Sequence, residues 1–282
     1  MIPKEESVYI KTKDFLVSHE EFSLVQNEAF GFLETKPCPQ AEDLSKYYES
    51  EEYISHTDSK KGLLSFLYQS VKTYSLKKKV SLISRLNEGK GSLLDIGAGT
   101  GEFLKVAQEK GWSIHGVEVS EKARDFAKEK NVSLEKGMDA FAGKQFDVVS
   151  LWHVLEHLPD LEEAVHKIEA LVRPGGNLII AVPNFNSWDA KHYKEFWAAY
   201  DVPRHLWHFS QSSMRKLISE HFKLVATRPM PFDAFYVSLL SEKYKTGNSF
   251  SLKAFWKGFR SNLSAMSSKE YSSLLYCFQK EK

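Results

Sequence analysis

Between residues 92 and 102 a short apolar run, Ser92–Ile96, carries Asp95 near its end and passes into Gly97, Gly99 and Gly101. A helical pattern begins directly afterwards. A strand that turns into a helix over so tight a loop needs backbone conformations that glycine adopts without steric cost. In open sheets covered by helices, ligands bind at such turns, beyond the carboxyl ends of the strands. The loop therefore predicts both a fold class and the place where a ligand sits.

The rest of the chain keeps the alternation that this fold requires. Strands are expected at Ser113–Glu118, Val132–Glu135, Phe146–Trp152, Asn177–Val182 and Phe222–Thr227. Helices are expected at Gly101–Lys110, Glu121–Lys130 and Leu161–Val172, and from Ser210 to about Glu220. Ser120 and Ser210 are suited to cap helix starts, and Gly111 to end one. Phe146–Trp152 is nearly all apolar, as suits a strand buried on both faces. Strands alternating with helices of this length predict a parallel sheet with helices on both faces. Ser273–Phe278 follows an inserted helical segment, roughly 232–268, and is expected as a final antiparallel strand.

Three parts are read along the chain: an N-terminal extension (1–90), a cofactor-binding core (91–229) and a helical insertion with the last strand (230–282). The extension is expected to be helical, with Gly62–Leu86 as one long amphipathic helix. The aromatic, acidic segment Tyr47–His56 is a candidate lid, in which Tyr53 and His56 are candidate substrate contacts. Lys77–Lys79 reads as a solvated basic face.

The 42% apolar and 27% charged content is that of a folded chain. A net charge of +1 gives no global field for nucleic acid, and none is expected as a partner. No apolar run reaches the ~20 residues of a membrane span, and Met1–Glu6 has no apolar leader core, so the expected location is cytoplasmic. Cys38 and Cys277 read as two reduced thiols. The oligomeric state is left open.

Two cofactor classes fit a glycine loop of this kind. A dinucleotide loop spaces its glycines G-x-G-x-x-G and sets a diphosphate on the helix N-terminus. Here the third glycine comes one residue early, and Asp95 precedes the loop, where its charge would repel a diphosphate. A ligand bearing an ammonium and a sulfonium suits Asp95 better. Glu118, about 20 residues on at the end of the second strand, is placed to accept ribose hydroxyls.

Leu93–Leu104, with Val117–Ser120, Phe146–Val149, Leu155–Asp160 and Leu171–Gly176, resembles the class I S-adenosylmethionine-dependent methyltransferases. Within them it resembles the ubiquinone-biosynthesis O-methyltransferase subgroup. The whole chain, including Asp201–Ser210, is also similar to unassigned bacterial methyltransferases. Some of these carry a cysteine-bearing zinc module near the N-terminus; the matching stretch here, Val25–Phe32, has no cysteine.

The resemblance implies a Rossmann-like three-layer α/β sandwich with a mostly parallel seven-stranded sheet and an antiparallel last strand. It implies S-adenosylmethionine as cofactor and S-adenosylhomocysteine as product. Asp95, Gly97, Ala98, Gly99, Thr100 and Gly101 would hold the methionine part and the ribose. Glu118 would take the ribose hydroxyls. Val119, Met138 and Asp139 would flank the adenine, and Trp152 would lie beside the transferred methyl.

The acceptor is expected to be a small molecule methylated on oxygen. His157, with Glu156 and His153, is the expected catalytic group, since imidazole is the natural base near neutral pH. No metal is expected there, although some related quinone O-methyltransferases use a divalent cation near the residue matching Glu156. Arg204, His205 and His208 are expected to bind the acceptor. Two other readings stay open: a nicotinamide-dependent oxidoreductase or epimerase, and a cofactor-binding partner protein without catalysis.

Overall fold

The computed structural model describes residues 7–40, 43, 46, 47, 63–218, 220–248 and 251–282, with the backbone alone for 63–70. Tyr53 and His56 lie outside the described residues, so the candidate lid has no structural account.

The N-terminal part departs from expectation. Instead of helix, it opens with three antiparallel strands, β1 (Val8–Lys13), β2 (Glu21–Gln26) and β3 (Leu33–Lys36). Buried Phe22 and Leu24 share one face of β2, the alternation of a half-buried strand. Polar residues dominate the other positions, which hid the strands in a reading based on apolar runs. The expected long helix follows as α1 (Leu63–Leu86).

The core then runs β4 (Ser92–Ile96), α2 (Glu102–Glu109), β5 (Ser113–Val117), α3 (Glu121–Glu129), β6 (Phe146–Trp152), α4 (Leu161–Leu171) and β7 (Val172–Pro183). It continues through α5 (Trp188–Tyr193), β8 (Trp207–His208), α6 (Gln211–Leu217), β9 (Phe222–Pro229), α7 (Asp233–Thr246), α8 (Leu252–Ser268) and β10 (Ser273–Lys280). Ser120 and Ser210 cap their helices as expected, accepting from the Ala123 and Ser213 amides.

The main sheet has the order β5-β4-β6-β7-β10-β9. β4, β5, β6 and β7 pair in parallel, and β10 is antiparallel to both β7 and β9. Among the described residues the sheet has six strands. The stretch expected as the third, Val132–Glu135, contributes only a parallel bridge from Glu135 to Val117 at the β5 edge. The Rossmann-like three-layer fold is otherwise as expected.

Alternation along the central strands feeds two cores. Leu94, Ile96, Val149 and Leu151 face one side, toward α4 and α6. Leu93 and Val148 face the other, toward Val80 and Ile83 of α1 and Phe103 and Leu104 of α2. Each such side chain, fully buried, contributes about 1.5–3 kcal/mol. A third core joins Phe22, Leu24 and Leu33 to Phe185, Tyr193, Trp197 and Tyr200. β8 also pairs with β3. The N-terminal strands and residues 185–209 thus form one cap over the carboxyl edge of the sheet, across the boundary expected at residue 90.

Candidate active site

β4 and β6 lie side by side, and β5 leaves on the other flank of β4, so the sheet order reverses at the glycine loop. Gly97 (φ 71°) and Gly99 (φ 53°) both take the left-handed backbone. A Cβ on Gly97 would strike Val154, whereas one on Gly99 would meet nothing within 4 Å. The loop is therefore pressed against the end of β6 on one side and open on the other. Its Gly97 and Ala98 amides donate to the Val117 carbonyl, at 2.8 and 2.9 Å. Gly99 N donates to Glu118 Oε2 at 2.9 Å, and Glu118 Oε1 accepts from Ser120 N. Glu118 thus borders the open side of the loop. Beside it Val119 is 76% exposed.

Asp95 shows why neighbouring strands matter. In the parallel register it stands opposite Ser150, on the α1 side of the sheet, and Ser150 Oγ donates to its Oδ1 at 2.6 Å. Burial lifts the Asp95 carboxyl to about 7, against the Ser150 hydrogen bond and the charge of Lys79, which favour ionisation. A ligand ammonium would complete this partly compensated charge. Lys79, expected on a solvated face, instead sets its ammonium 3.9 Å from the centroid of the Trp152 ring. Burial lowers its pKa, while Asp95 and Asp233 hold it up. Trp152 also packs edge-on against Phe103, and its Nε1 is buried without a hydrogen-bond partner.

The other expected cofactor residues are scattered about this rim. Thr100 offers its carbonyl to Lys130 Nζ at 2.8 Å, and Gly101 (φ 74°) sits at the start of α2. Met138 opens a single 3₁₀ turn and packs on the core. Asp139 is solvent-facing and pairs with Lys167 at 3.3 Å.

Beyond Trp152 the chain makes a sharp turn at His153 (φ 58°). Its Nδ1 lies 3.4 Å from Glu156 Oε1 and its Nε2 3.2 Å from Asp233 Oδ2. Burial opposes the charge, but the two carboxylates raise His153 to about 10. His153 is therefore an imidazolium at neutral pH, which corrects its expected place among the catalytic bases. Burial would raise Glu156, and the close approach and charge of His153 outweigh it, holding its carboxyl below the ordinary range. Glu156 is 1% exposed, and neither carboxylate oxygen receives a well-formed hydrogen bond.

His157 and His205 meet edge to face, with ring centroids 4.6 Å apart. His157 Nδ1 donates to the Arg204 carbonyl and His205 Nδ1 to the Ala199 carbonyl, both at 2.9 Å. A carbonyl only accepts, so each bond fixes the proton on Nδ1 and the lone pair on Nε2. Burial and neighbouring His205 lower His157 to about 4. One ligand atom each from Glu156, His157 and His205 lies within 4.8 Å of the others, a grouping with the spacing to hold a metal ion. His205 joins Glu156 and His157 from a distant loop, a meeting with no local pattern in the chain.

A cavity of about 740 Å³ opens between the cap and α7, lined by His153, Ala199, Asp201, His205, Tyr236 and Tyr244 among others. Of the expected acceptor-binding residues, His205 is on this wall. Arg204 and His208 are not, and both correct the expectation. Arg204 is 1% exposed and donates to Asp14, Asp201 and the Tyr47 carbonyl, so its charge is spent inside the cap. His208 is buried against Thr35 Oγ1 at 3.0 Å. Asp201 and Asp233 also line the cavity and were not anticipated, since a lone acid in a loop or a helix start has no sequence signature.

Residues 67–222 match the family model of a methyltransferase domain. A ubiquinone biosynthesis O-methyltransferase of Erwinia tasmaniensis is 34% identical over 106 residues, covering 34% of this chain and 43% of the relative. An uncharacterized methyltransferase of Anoxybacillus flavithermus is 30% identical over 118 residues, covering 39% and 56% respectively. The chain thus spans about half the length of the curated relatives it matches. Among solved structures, a Burkholderia thailandensis 1,6-didemethyltoxoflavin N1-methyltransferase with bound S-adenosylhomocysteine superposes with TM-score 0.53. The identity is 16%, over 93% of this chain and 96% of that one. A Haemonchus contortus phosphoethanolamine N-methyltransferase superposes with TM-score 0.55 at 14% identity, covering 100% and 71%. At these identities the likeness is one of fold. No helix among the described residues is long and apolar enough to cross a membrane.

Proposed function

The chain belongs to the methyltransferase-domain family, and from that premise we propose that it transfers a methyl group from S-adenosylmethionine to a hydroxyl of a small molecule. The observation that carries this reading is the shared wall between loop and cavity. Gly97 packs on Val154, one residue beyond His153, and His153 lines the cavity. A cofactor on the loop and an acceptor in the cavity would therefore meet at the end of β6. The relatives' O-methyltransferase names support oxygen as the acceptor atom.

S-adenosylmethionine supplies the activated methyl group. Asp95 would hold its ammonium, Glu118 its ribose hydroxyls, and the exposed side chain of Val119 its base. On the acceptor side, His205 Nε2 takes the hydroxyl proton, because His205 lines the cavity with its tautomer fixed by Ala199. His157 stands against the His205 ring as a positioning residue. His153 stays charged and holds Glu156 ionised nearby. Alignment of the hydroxyl within about 3–3.5 Å of the methyl carbon completes the requirement.

The experiment is calorimetric titration with S-adenosylhomocysteine, NAD and NADP, followed by a turnover screen of phenols, enols and amines. Saturable binding of the first, with S-adenosylhomocysteine formed from S-adenosylmethionine and a hydroxyl acceptor, supports the reading. Binding of a nicotinamide nucleotide instead returns the oxidoreductase alternative, and cofactor binding without turnover on any acceptor favours a non-catalytic partner.

The meeting of Glu156, His157 and His205 favours a second reading, in which these residues hold a divalent cation that acidifies the acceptor hydroxyl. Metal analysis of the purified protein, before and after dialysis against chelator, separates this from base catalysis by His205.

A further inference from the structure

Helix α8 is built inside out. The residues it turns inward are small: Ala254, Gly258, Ser261 and Ala265 are its buried positions. The reason is close approach, since a Cβ on Gly258 would come within 2.8 Å of Phe235 Cα on α7. The residues it turns outward are large and apolar. Leu252, Phe255, Trp256, Phe259, Leu263 and Met266 are between 48% and 72% exposed. At about 100° per residue they fall within one arc of roughly 100°. A chain gains nothing in stability by presenting six such side chains to water.

The charges beside that arc have one sign. Lys253, Lys257 and Arg260 follow each other along one flank, and no Asp or Glu occurs from Ser251 to Lys269. Lys257 and Arg260 are held there by Trp188, whose ring centroid lies 5.9 and 5.0 Å away. An apolar arc rich in Trp, Phe and Leu, flanked by fixed cations, is the pattern of a helix lying in the interfacial plane of a bilayer. The charge selects an anionic surface.

We propose that α8 docks the protein on an anionic lipid bilayer, its apolar arc entering the acyl boundary and its basic flank meeting the headgroups. α7 lies between α8 and the cavity, since it packs on α8 and supplies Tyr236, Leu240 and Tyr244 to the cavity wall. The docked orientation therefore brings the cavity's outer wall close to the lipid surface.

Flotation of the full chain with vesicles tests this, comparing phosphatidylcholine alone with phosphatidylcholine mixed with phosphatidylglycerol. The expected result is binding to the anionic vesicles about tenfold or more above the neutral ones, weakened by salt. Trp256→Glu with Phe259→Glu should abolish flotation while leaving the thermal midpoint unchanged, as both side chains are solvent-facing. Lys253→Gln with Arg260→Gln, the milder pair, should reduce binding to anionic vesicles several-fold. No flotation with anionic vesicles at low salt overturns the proposal, as does binding that survives the Glu variants. Concentration-dependent dimerisation abolished by the Glu variants, without vesicle binding, also overturns it and assigns the arc to a second copy.

Discussion

His153 Nε2 lies 3.2 Å from Asp233 Oδ2, and this ion pair fastens the end of β6 to the first turn of α7. It links the end of a central strand to a helix that walls the cavity. The contact also fixes a charge. His153 titrates near 10 in the fold against an ordinary 6.5, because Asp233 and Glu156 outweigh its burial. A raised histidine stabilises the fold fully below about 6.5, and that contribution is lost as pH rises through about 10. The thermal midpoint should therefore fall on going from neutral pH to pH ~10. Asp233→Asn should flatten that fall and lower the His153 midpoint by about 1–3 pH units, read by NMR of the ring protons. A midpoint unchanged in the variant would place His153 outside the influence of α7.

Asp95 carries the opposite sign of coupling. Its carboxyl ionises near 7 in the fold and near 3.8 in an unperturbed chain. Stability is thus spent as pH rises from about 3.8 to 7 and is level above that. A ligand ammonium beside Asp95 favours the ionised form, so binding releases a proton below pH 7. Affinity for S-adenosylhomocysteine should strengthen as pH rises toward 7, by at most about tenfold per pH unit, and then level off. Asp95→Asn keeps an acceptor for Ser150 but removes the buried charge. At pH 8 it should raise the thermal midpoint while weakening binding about 10–100-fold. Calorimetry across pH checks both halves, and a parallel loss of stability and affinity would mean the carboxylate is paired more fully than the geometry indicates.

Glu118 accepts from the Gly99 amide, and in the proposed function the same carboxylate would take the ribose hydroxyls. Glu118→Ala should weaken S-adenosylhomocysteine about 10–100-fold. Val119→Glu, which leaves the loop's hydrogen bonds in place, should weaken it as well by removing the apolar face under the base. If only the first variant loses affinity, Glu118 acts through loop shape and not through the ribose.

The glycine loop, most strands and helices of the core and the helical insertion were legible because each follows from local pattern: an apolar run, a capping serine, a glycine where φ turns positive. The N-terminal sheet was not, since β1 to β3 alternate with mostly polar residues and find their fourth strand at Trp207–His208, some 170 residues on. The same distance explains the cavity-side cluster of Glu156, His157 and His205. Nothing near His205 in sequence announces Glu156 or His157, and nothing near Lys79 announces Trp152. Arg204 misled for a related reason. A guanidinium in an aromatic loop resembles an anion-binding group until Asp14, 190 residues away, is seen to accept its hydrogen bond.

The choice between the two neighbouring histidines is the sharpest test of the chemistry. His157 is held near 4 by burial and by His205, so it stays neutral from pH 5 upward, and its proton is tied to Arg204. His205 has its Nδ1 tied to Ala199 in the same way but stands on the cavity wall. Once an acceptor is found, His205→Ala should lower kcat by about 10²–10⁴-fold, the usual worth of a general base, with affinity for S-adenosylhomocysteine unchanged. His157→Ala removes the ring against which His205 packs, so it should lower kcat less and raise KM as the His205 ring loses its fixed orientation. A collapse of kcat in His157→Ala beside a near-normal His205→Ala would move the base to His157. Equal collapse in both, with metal lost from both variants, would mean that the two rings serve as ligands.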